Sequence, residues 1–203
     1  VRPVPLRPLS PEAVRSLARD ADAAARVLAQ TDGNPFLVSA LLSGSDGEVP
    51  SSVGDLVRSL VARLTGKAER LVQLVAVVPG RTELALLEAI DPQLLDAIGP
   101  AEHLGLLRVD GETVAFRHEL ARVALDEALP ESLRRERHRE VLEAGERRGL
   151  DAARLAHHAR GAVDVGGMVR WLPEAARLAA ASASHREAIV LMHALEPHMD
   201  QLP

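Results

Sequence analysis

Apolar residues recur along most of this chain at separations of three and four, the spacing of amphipathic helices. Ser10-Pro11-Glu12 opens the first helix with a serine cap, a proline at the first helical position and an acid on the positive end of the dipole. Before it, residues 1–9 are proline-rich and read as an extended linker. Val14, Leu17 and Ala18 share one side; the helix breaks near Asp20 to Asp22 and resumes through Val27 and Leu28. In Thr31-Asp32-Gly33-Asn34-Pro35-Phe36, Gly33 suits the left-handed position that closes a helix. Asn34 and Pro35 suit the cap and first position of the next. After a glycine, serine and acid loop, Ser51 or Ser52 caps a helix with Val53, Leu56, Val57, Leu60, Val61 and Leu64 on one face.

A second helix of this region, from about Thr65, stops at Pro79-Gly80, and Thr82 caps a short one through Ile90. Asp91-Pro92 starts another, broken by Gly99-Pro100 and running to about Leu104. The period then changes. Leu106 to Val109 and Thr113 to Phe116, flanking Asp110-Gly111-Glu112, predict a β-hairpin. A helix from about His118 to Leu129 completes a winged-helix-like arrangement. From Glu131 onward four helices are expected, near 132–148, 151–160, 168–182 and 185–195. Gly149, Gly161 with Gly166-Gly167, and Ser182 to Ser184 separate them, the texture of a helical-repeat array.

Composition narrows the chemistry. The 203 residues are 47% hydrophobic and 26% charged, an ordinary globular balance. With no cysteine, disulfides, thiolate metal sites and a cysteine nucleophile are excluded. Phe36, Phe116 and Trp171 leave almost nothing to stack on bases, and a net charge of −5 recruits no polyanion. No apolar run is long enough to cross a bilayer. The chain opens on Val1 without a signal-peptide pattern, which predicts a piece of a longer cytoplasmic protein.

No catalytic motif is found, and the chain is not expected to be an enzyme by itself. A P-loop needs glycines whose amides hold phosphates, then lysine and a hydroxyl residue. Here Gly66-Lys67 is followed by Ala68, with Val61 where the first glycine belongs. His118-Glu119 has Arg122 where a zinc-protease helix needs its second histidine. His157 and His158 are adjacent and diverge by about 100° on a helix, so they read as packing or surface residues. No metal site is expected. The candidate DNA-reading helix, 92–103, has no lysine or arginine, and its wing turn is acidic, so both surfaces repel DNA. The alternating arginines and glutamates of 131–148 read as a solvated, ion-paired face.

Two phrases carry a family likeness. Thr31-Asp32-Gly33-Asn34-Pro35-Phe36-Leu37-Val38 resembles the Gly-Asn-Pro-Phe-Leu segment in the helical lid of signal-transducing (STAND, AAA-like) ATPases. Phe116-Arg117-His118-Glu119-Leu120-Ala121-Arg122 resembles their phrase where the winged-helix hairpin enters its last helix. The segments around Ala156-His157-His158-Ala159, Pro173-Glu174-Ala175-Ala176 and His185-Arg186-Glu187-Ala188 are similar to the start of a tetratricopeptide-like arm. The likeness is to bacterial transcriptional regulators that join such an ATPase to a LuxR-type DNA-binding domain; the arginine and alanine excess with a single lysine, Lys67, fits a GC-rich bacterial genome.

The resemblance implies a mainly α chain in three parts: 1–48, the end of the ATPase lid; 49–130, a winged-helix-like domain with one β-hairpin; and 131–203, a truncated arm of antiparallel helix pairs. It implies a regulatory middle segment that couples the nucleotide state of an upstream P-loop domain to a ligand- or partner-sensing arm. ATP or ADP would belong to the parent protein. Pro35 would pack on the adenine and His118 would hydrogen-bond a phosphate, although Glu119 stands where related switches have aspartate. Two other readings stay open: a free-standing winged-helix DNA-binding regulator, and a helical protein-interaction scaffold.

Overall fold

Ser10 starts the first helix as its position predicts: its Oγ accepts from the Ala13 amide at 3.2 Å. The structure, a computed structural model, describes residues 8–18, 20–31, 33, 35, 38, 39, 42 and 53–201, and the chain divides into two units, Val1–Arg63 and Leu64–Pro203. In the first unit, α1 (Pro11–Leu17) and α2 (Ala21–Thr31) are separated by a break where Asp20 accepts from the Ala23 amide at 2.7 Å. Val14, Ala24, Val27 and Val38 form the core, with Ala18 and Leu28 packed against it. Leu17, expected on the buried side, is 55% exposed. It lies about 60° to one side of Val14 and Ala18 about 40° to the other, and the core lies on the side of Ala18.

Gly33 takes the expected left-handed conformation, with φ of +73°. Its carbonyl accepts from Leu9 N at 2.7 Å, and an added Cβ would lie 2.4 Å from the Leu9 carbonyl oxygen. Both φ and space therefore require glycine. Helix α3 (Val53–Val61) buries Leu56, Val57 and Val61, as its period predicts. The boundary expected at 48/49 and the serine caps at 51 and 52 lie outside the described residues.

The second unit begins with α4 (Lys67–Ala76), and the run from Leu71 through its end to Val78 is entirely buried. Then follow β1 (Thr82–Glu83), α5 (Leu84–Ile90), a short 3-10 turn (Pro92–Leu94), α6 (Ile98–His103), β2 (Leu107–Asp110), β3 (Thr113–Phe116) and α7 (Glu119–Ala128). The three strands form an antiparallel sheet in the order β1-β3-β2, which together with the helix order is a winged-helix arrangement. Asp110 faces Thr113, so Gly111 and Glu112 make a two-residue turn, and Gly111 supplies the positive φ of +60° at its first position.

Two local expectations are corrected. Thr82 does not cap a helix; it pairs with Val114, adding a third strand to the hairpin. An edge of β3 left open beside β-prone Thr82 is satisfied by backbone pairing. Gly99-Pro100 does not break a helix but lies in the first turn of α6, where proline's missing amide needs no partner.

The remainder is a helical array, α8 (Glu131–Arg148), α9 (Ala152–Ala162), α10 (Val165–Ala181) and α11 (His185–Leu195), each packed on the next, ending in a 3-10 turn (Glu196–Gln201). Leu142, Leu155, Ala159, Leu172, Ala176 and Leu195 lie in its core. Gly149 ends α8 in the left-handed conformation; Leu150 N reaches the Gly145 carbonyl and Gly149 N the Glu146 carbonyl, a Schellman closure. Gly161 and Gly166-Gly167, expected as separators, lie inside α9 and α10. Their role is spatial. A Cβ at Gly167 would sit 3.0 Å from that of Ala159, and one at Gly161 would fall 2.4 Å from the His138 ring.

Helix α8 is not the fully solvated, ion-paired helix its charges predict. Arg137 is buried, donating its Nε to Gln73 Oε1 at 3.1 Å and pairing with Glu140. Glu140 also takes Arg70, which pairs with Asp91 at 3.1 Å, and Lys67 reaches Asp91 at 3.2 Å. The network joins α8 to α4. Removing one partner of a buried pair strands the other, so Arg137→Ala is expected to cost about 3–5 kcal/mol in urea unfolding. Arg135→Ala, on the exposed side, is expected to cost at most about 1 kcal/mol.

Candidate functional site

The phrase Phe116 to Arg122 is first a packing device. Phe116 and Ala121 are buried, and Arg122 reaches from the first turns of α7 to the Ala76 carbonyl at the end of α4. That carbonyl is one of the acceptors a helix C-terminus leaves open, and the guanidinium also meets the negative end of the dipole. Glu119 steadies Arg122 through a 2.8 Å bond to its Nε.

His118 occupies the cap position of α7 with extended backbone, φ −132° and ψ 122°, but its side chain makes no capping hydrogen bond. Its half-buried imidazole is held below the usual histidine range by burial first, then by the nearby Arg117 and Arg108 guanidinium groups. At pH 7 it is neutral, and the two guanidinium groups give it a positive setting. Such a setting suits an anion, which would draw the imidazole toward its charged form. Pro35 lies in the first unit, on helical backbone, with an exposed ring. The two residues predicted to hold nucleotide therefore belong to separate units.

The surfaces on which winged helices read DNA are poor in cations here. Helix α6 has six residues and neither lysine nor arginine. Glu102 accepts from the Val109 amide at 3.0 Å, and Asp110 at the wing pairs with Arg81 at 2.8 Å.

The structure brings together three histidines that spacing alone keeps apart. His138 comes from α8, His157 and His158 from α9, and their ring centroids lie 4.9, 5.1 and 5.3 Å apart. His138 Nδ1 and His158 Nδ1 are 3.0 Å apart, so one of them carries the bridging proton. His157 Nε2 lies 3.4 Å from the Val77 carbonyl oxygen, which can only accept. That nitrogen therefore carries the proton and Nδ1 keeps its lone pair. One ligand atom from each ring lies within 4.8 Å of the others. His157 and His158, read as packing or surface residues because they diverge by about 100° at the backbone, meet around an imidazole from the neighbouring helix, with His138 and His158 buried between α8 and α9.

The spacing about Gly149 encodes this convergence. In an antiparallel helix hairpin, residues equally far from the turn face each other. His138 stands eleven residues before Gly149 and Gly161 twelve after it, so His138 falls against Gly161, one turn beyond His158.

The three rings are held neutral. Burial, then His157 and Arg134, push His138 down to about 4. His158 falls well below the ordinary value for the same first reason, with His157, His138 and Arg154 adding to it. His157 is lowered by burial, Arg160 and Arg122 against the opposing pull of the Val77 carbonyl and Asp126.

No family model matches the chain, and no curated protein matches it. Among solved structures, it is similar to the crystal structure of a Signal Transduction ATPase with Numerous Domains (STAND) protein with a tetratricopeptide repeat sensor from Pyrococcus horikoshii. The TM-score is 0.57, at 15% identity, over 94% of this chain and 35% of that one. The likeness is one of fold. This chain spans about a third of that protein's length; it is mainly helical with a small three-stranded antiparallel sheet. Among the described residues, no helix is long and apolar enough to cross a membrane.

A pH prediction follows from the buried imidazoles. Unfolded histidines bind protons below about pH 6.5 while folded His138 resists until about 4, so the unfolded state gains protons first and stability falls across that window. NMR of the His138 ring should show neutral-imidazole shifts down to pH 5; a midpoint near 6.5 would contradict its burial.

Proposed function

We propose that this chain is the regulatory, ligand-sensing middle segment of an ATP-dependent transcriptional regulator of the STAND type with a LuxR-type DNA-binding domain. The supporting observation is the fold likeness to a STAND protein with a tetratricopeptide repeat sensor over 94% of this chain and 35% of that one. The chain's lack of a P-loop fits a segment whose nucleotide-binding domain lies elsewhere in the parent.

In this reading ATP or ADP binds the upstream P-loop domain, and this segment folds over it. His118, at the start of α7 beside Arg117 and Arg108, donates a hydrogen bond to a phosphate. Pro35, rigid and exposed, lies against the adenine. A nucleotide biases the closed state only through contacts that differ between closed and open forms, and these are two such contacts. The winged helix makes no direct DNA contact and the segment has no hydrolytic activity of its own. The arm receives an inducer or protein partner. Ile189 and Met192, exposed three positions apart on one side of α11, offer it an apolar contact. The parent is cytoplasmic and has no membrane role.

In the intact protein, His118→Ala is expected to weaken ADP binding about tenfold, within the usual range of coupling energies, and Pro35→Ala to weaken it as well. The 203-residue chain alone should neither turn over ATP nor shift duplex DNA. Unchanged ADP affinity in both variants would favour the interaction-scaffold reading. A salt-sensitive DNA shift would favour the free-standing DNA-binding regulator.

A further inference from the structure

We infer that His138, His157 and His158 form a three-imidazole site for a borderline divalent transition metal of the zinc class, with a coordination position open toward solvent. The inference is independent of the nucleotide reading, since all three residues lie in the α8–α9 hairpin.

The geometry carries it. A zinc ion sits about 2.0–2.1 Å from each imidazole nitrogen, so nitrogens about 90–110° apart around it are separated by roughly 3.0–3.4 Å. The 3.0 Å between His138 Nδ1 and His158 Nδ1 falls in that range. Without an ion these two nitrogens must share a proton. With one, that proton moves to the Nε2 of its own ring and both lone pairs face the metal. His157 offers its Nδ1 because its Nε2–H points at the Val77 carbonyl, the outer hydrogen bond that typically fixes the tautomer of a metal-bound histidine. His157 is also the exposed member of the three, so it has room to close onto the ion and leaves a face for water.

Two surroundings favour a cation there. The Val77 carbonyl belongs to the negative end of α4. Asp126, within electrostatic reach of His157, has a buried Oδ1 with no hydrogen-bond partner, while its other oxygen lies 4.0 Å from Arg122; a nearby cation would stabilise the unpartnered oxygen as well. Opposing these are Arg134 beside His138 and Arg160 beside His157; Arg122 and Arg154 also face the rings but are paired with Glu119 and Glu83. That balance and the all-nitrogen donor set select metals with high imidazole affinity over magnesium or calcium.

Gly161 is part of the same construction. A Cβ there would overlap the His138 ring at 2.4 Å, so glycine lets the ring lie between the helices.

The test is Zn2+ titration of the full 203-residue chain, followed by calorimetry and by NMR of the imidazole nitrogens. The expected result is one ion per chain, with the Nδ1 signals of His138, His157 and His158 shifting together. His157→Ala, at an exposed position and with its fold checked by circular dichroism, should lower affinity at least about tenfold. Gly161→Ala keeps all three rings but displaces His138, and should weaken binding similarly. His193→Ala should leave it unchanged. Binding that survives His157→Ala but is lost in His193→Ala would overturn the inference and place the ion at the exposed His193–Glu196 pair, whose atoms lie 2.9 Å apart. Absence of saturable binding would overturn it too.

Discussion

Helix α8 must pack against α4, α5 and α9 although eleven of its eighteen residues are glutamate or arginine. A helix so charged has too little apolar face to be held by hydrophobic burial alone. It is held by satisfying its charges. Arg137 and Glu140 enter the interface only because Gln73, Arg70 and, behind Arg70, Asp91 and Lys67 complete the network. Each polar group taken from water there has a partner, which is the condition for burying it at tolerable cost. The winged helix and the helical arm are thereby fastened to one another through a specific set of donors and acceptors, and their relative register follows from it.

The same helix carries His138 to α9, so fastening α8 also sets the histidine cluster. Close approach of the two helices depends on small residues: Gly145 lies against Leu155, and Gly161 against the His138 ring. Glycine inside a helix ordinarily weakens it by about 1 kcal/mol relative to alanine. Here the loss is offset by contacts that a methyl group would forbid. Glycines that look like punctuation in the sequence thus serve the packing of one helix on the next.

Around His118 and Arg122 a single phrase divides between structure and chemistry. Arg122 is consumed by the end of α4 and Phe116 by the core, whereas His118 sits at a helix start without capping it. Of the histidines in the second unit, His118 faces guanidinium groups, and the three of the α8–α9 hairpin face each other beside an unpartnered carboxylate oxygen. The first setting suits an anion and the second a cation. Chemically alike side chains acquire opposite preferences from their neighbours.

Most helix positions, the hairpin and the Ser10 cap were legible in the sequence because each rests on local physics. Three-and-four spacing placed α3 and α4, and small-residue breaks marked off the four helices of the arm, although Gly161 and Gly166-Gly167 lie inside helices; Asp110-Gly111-Glu112 marked the hairpin, and Gly33 a left-handed helix end. The third strand was not legible, since Thr82 can cap a helix or pair with a strand, and only the position of β3 decides. Leu17 and Ala18 were equal candidates for burial until a neighbour took one side. Whether an arginine of α8 meets water or Gln73 depends on residues sixty or more positions away. The histidine cluster shows the same division. Sequence fixes the direction in which each side chain leaves its own helix, and tertiary packing decides which neighbouring helix lies in that direction.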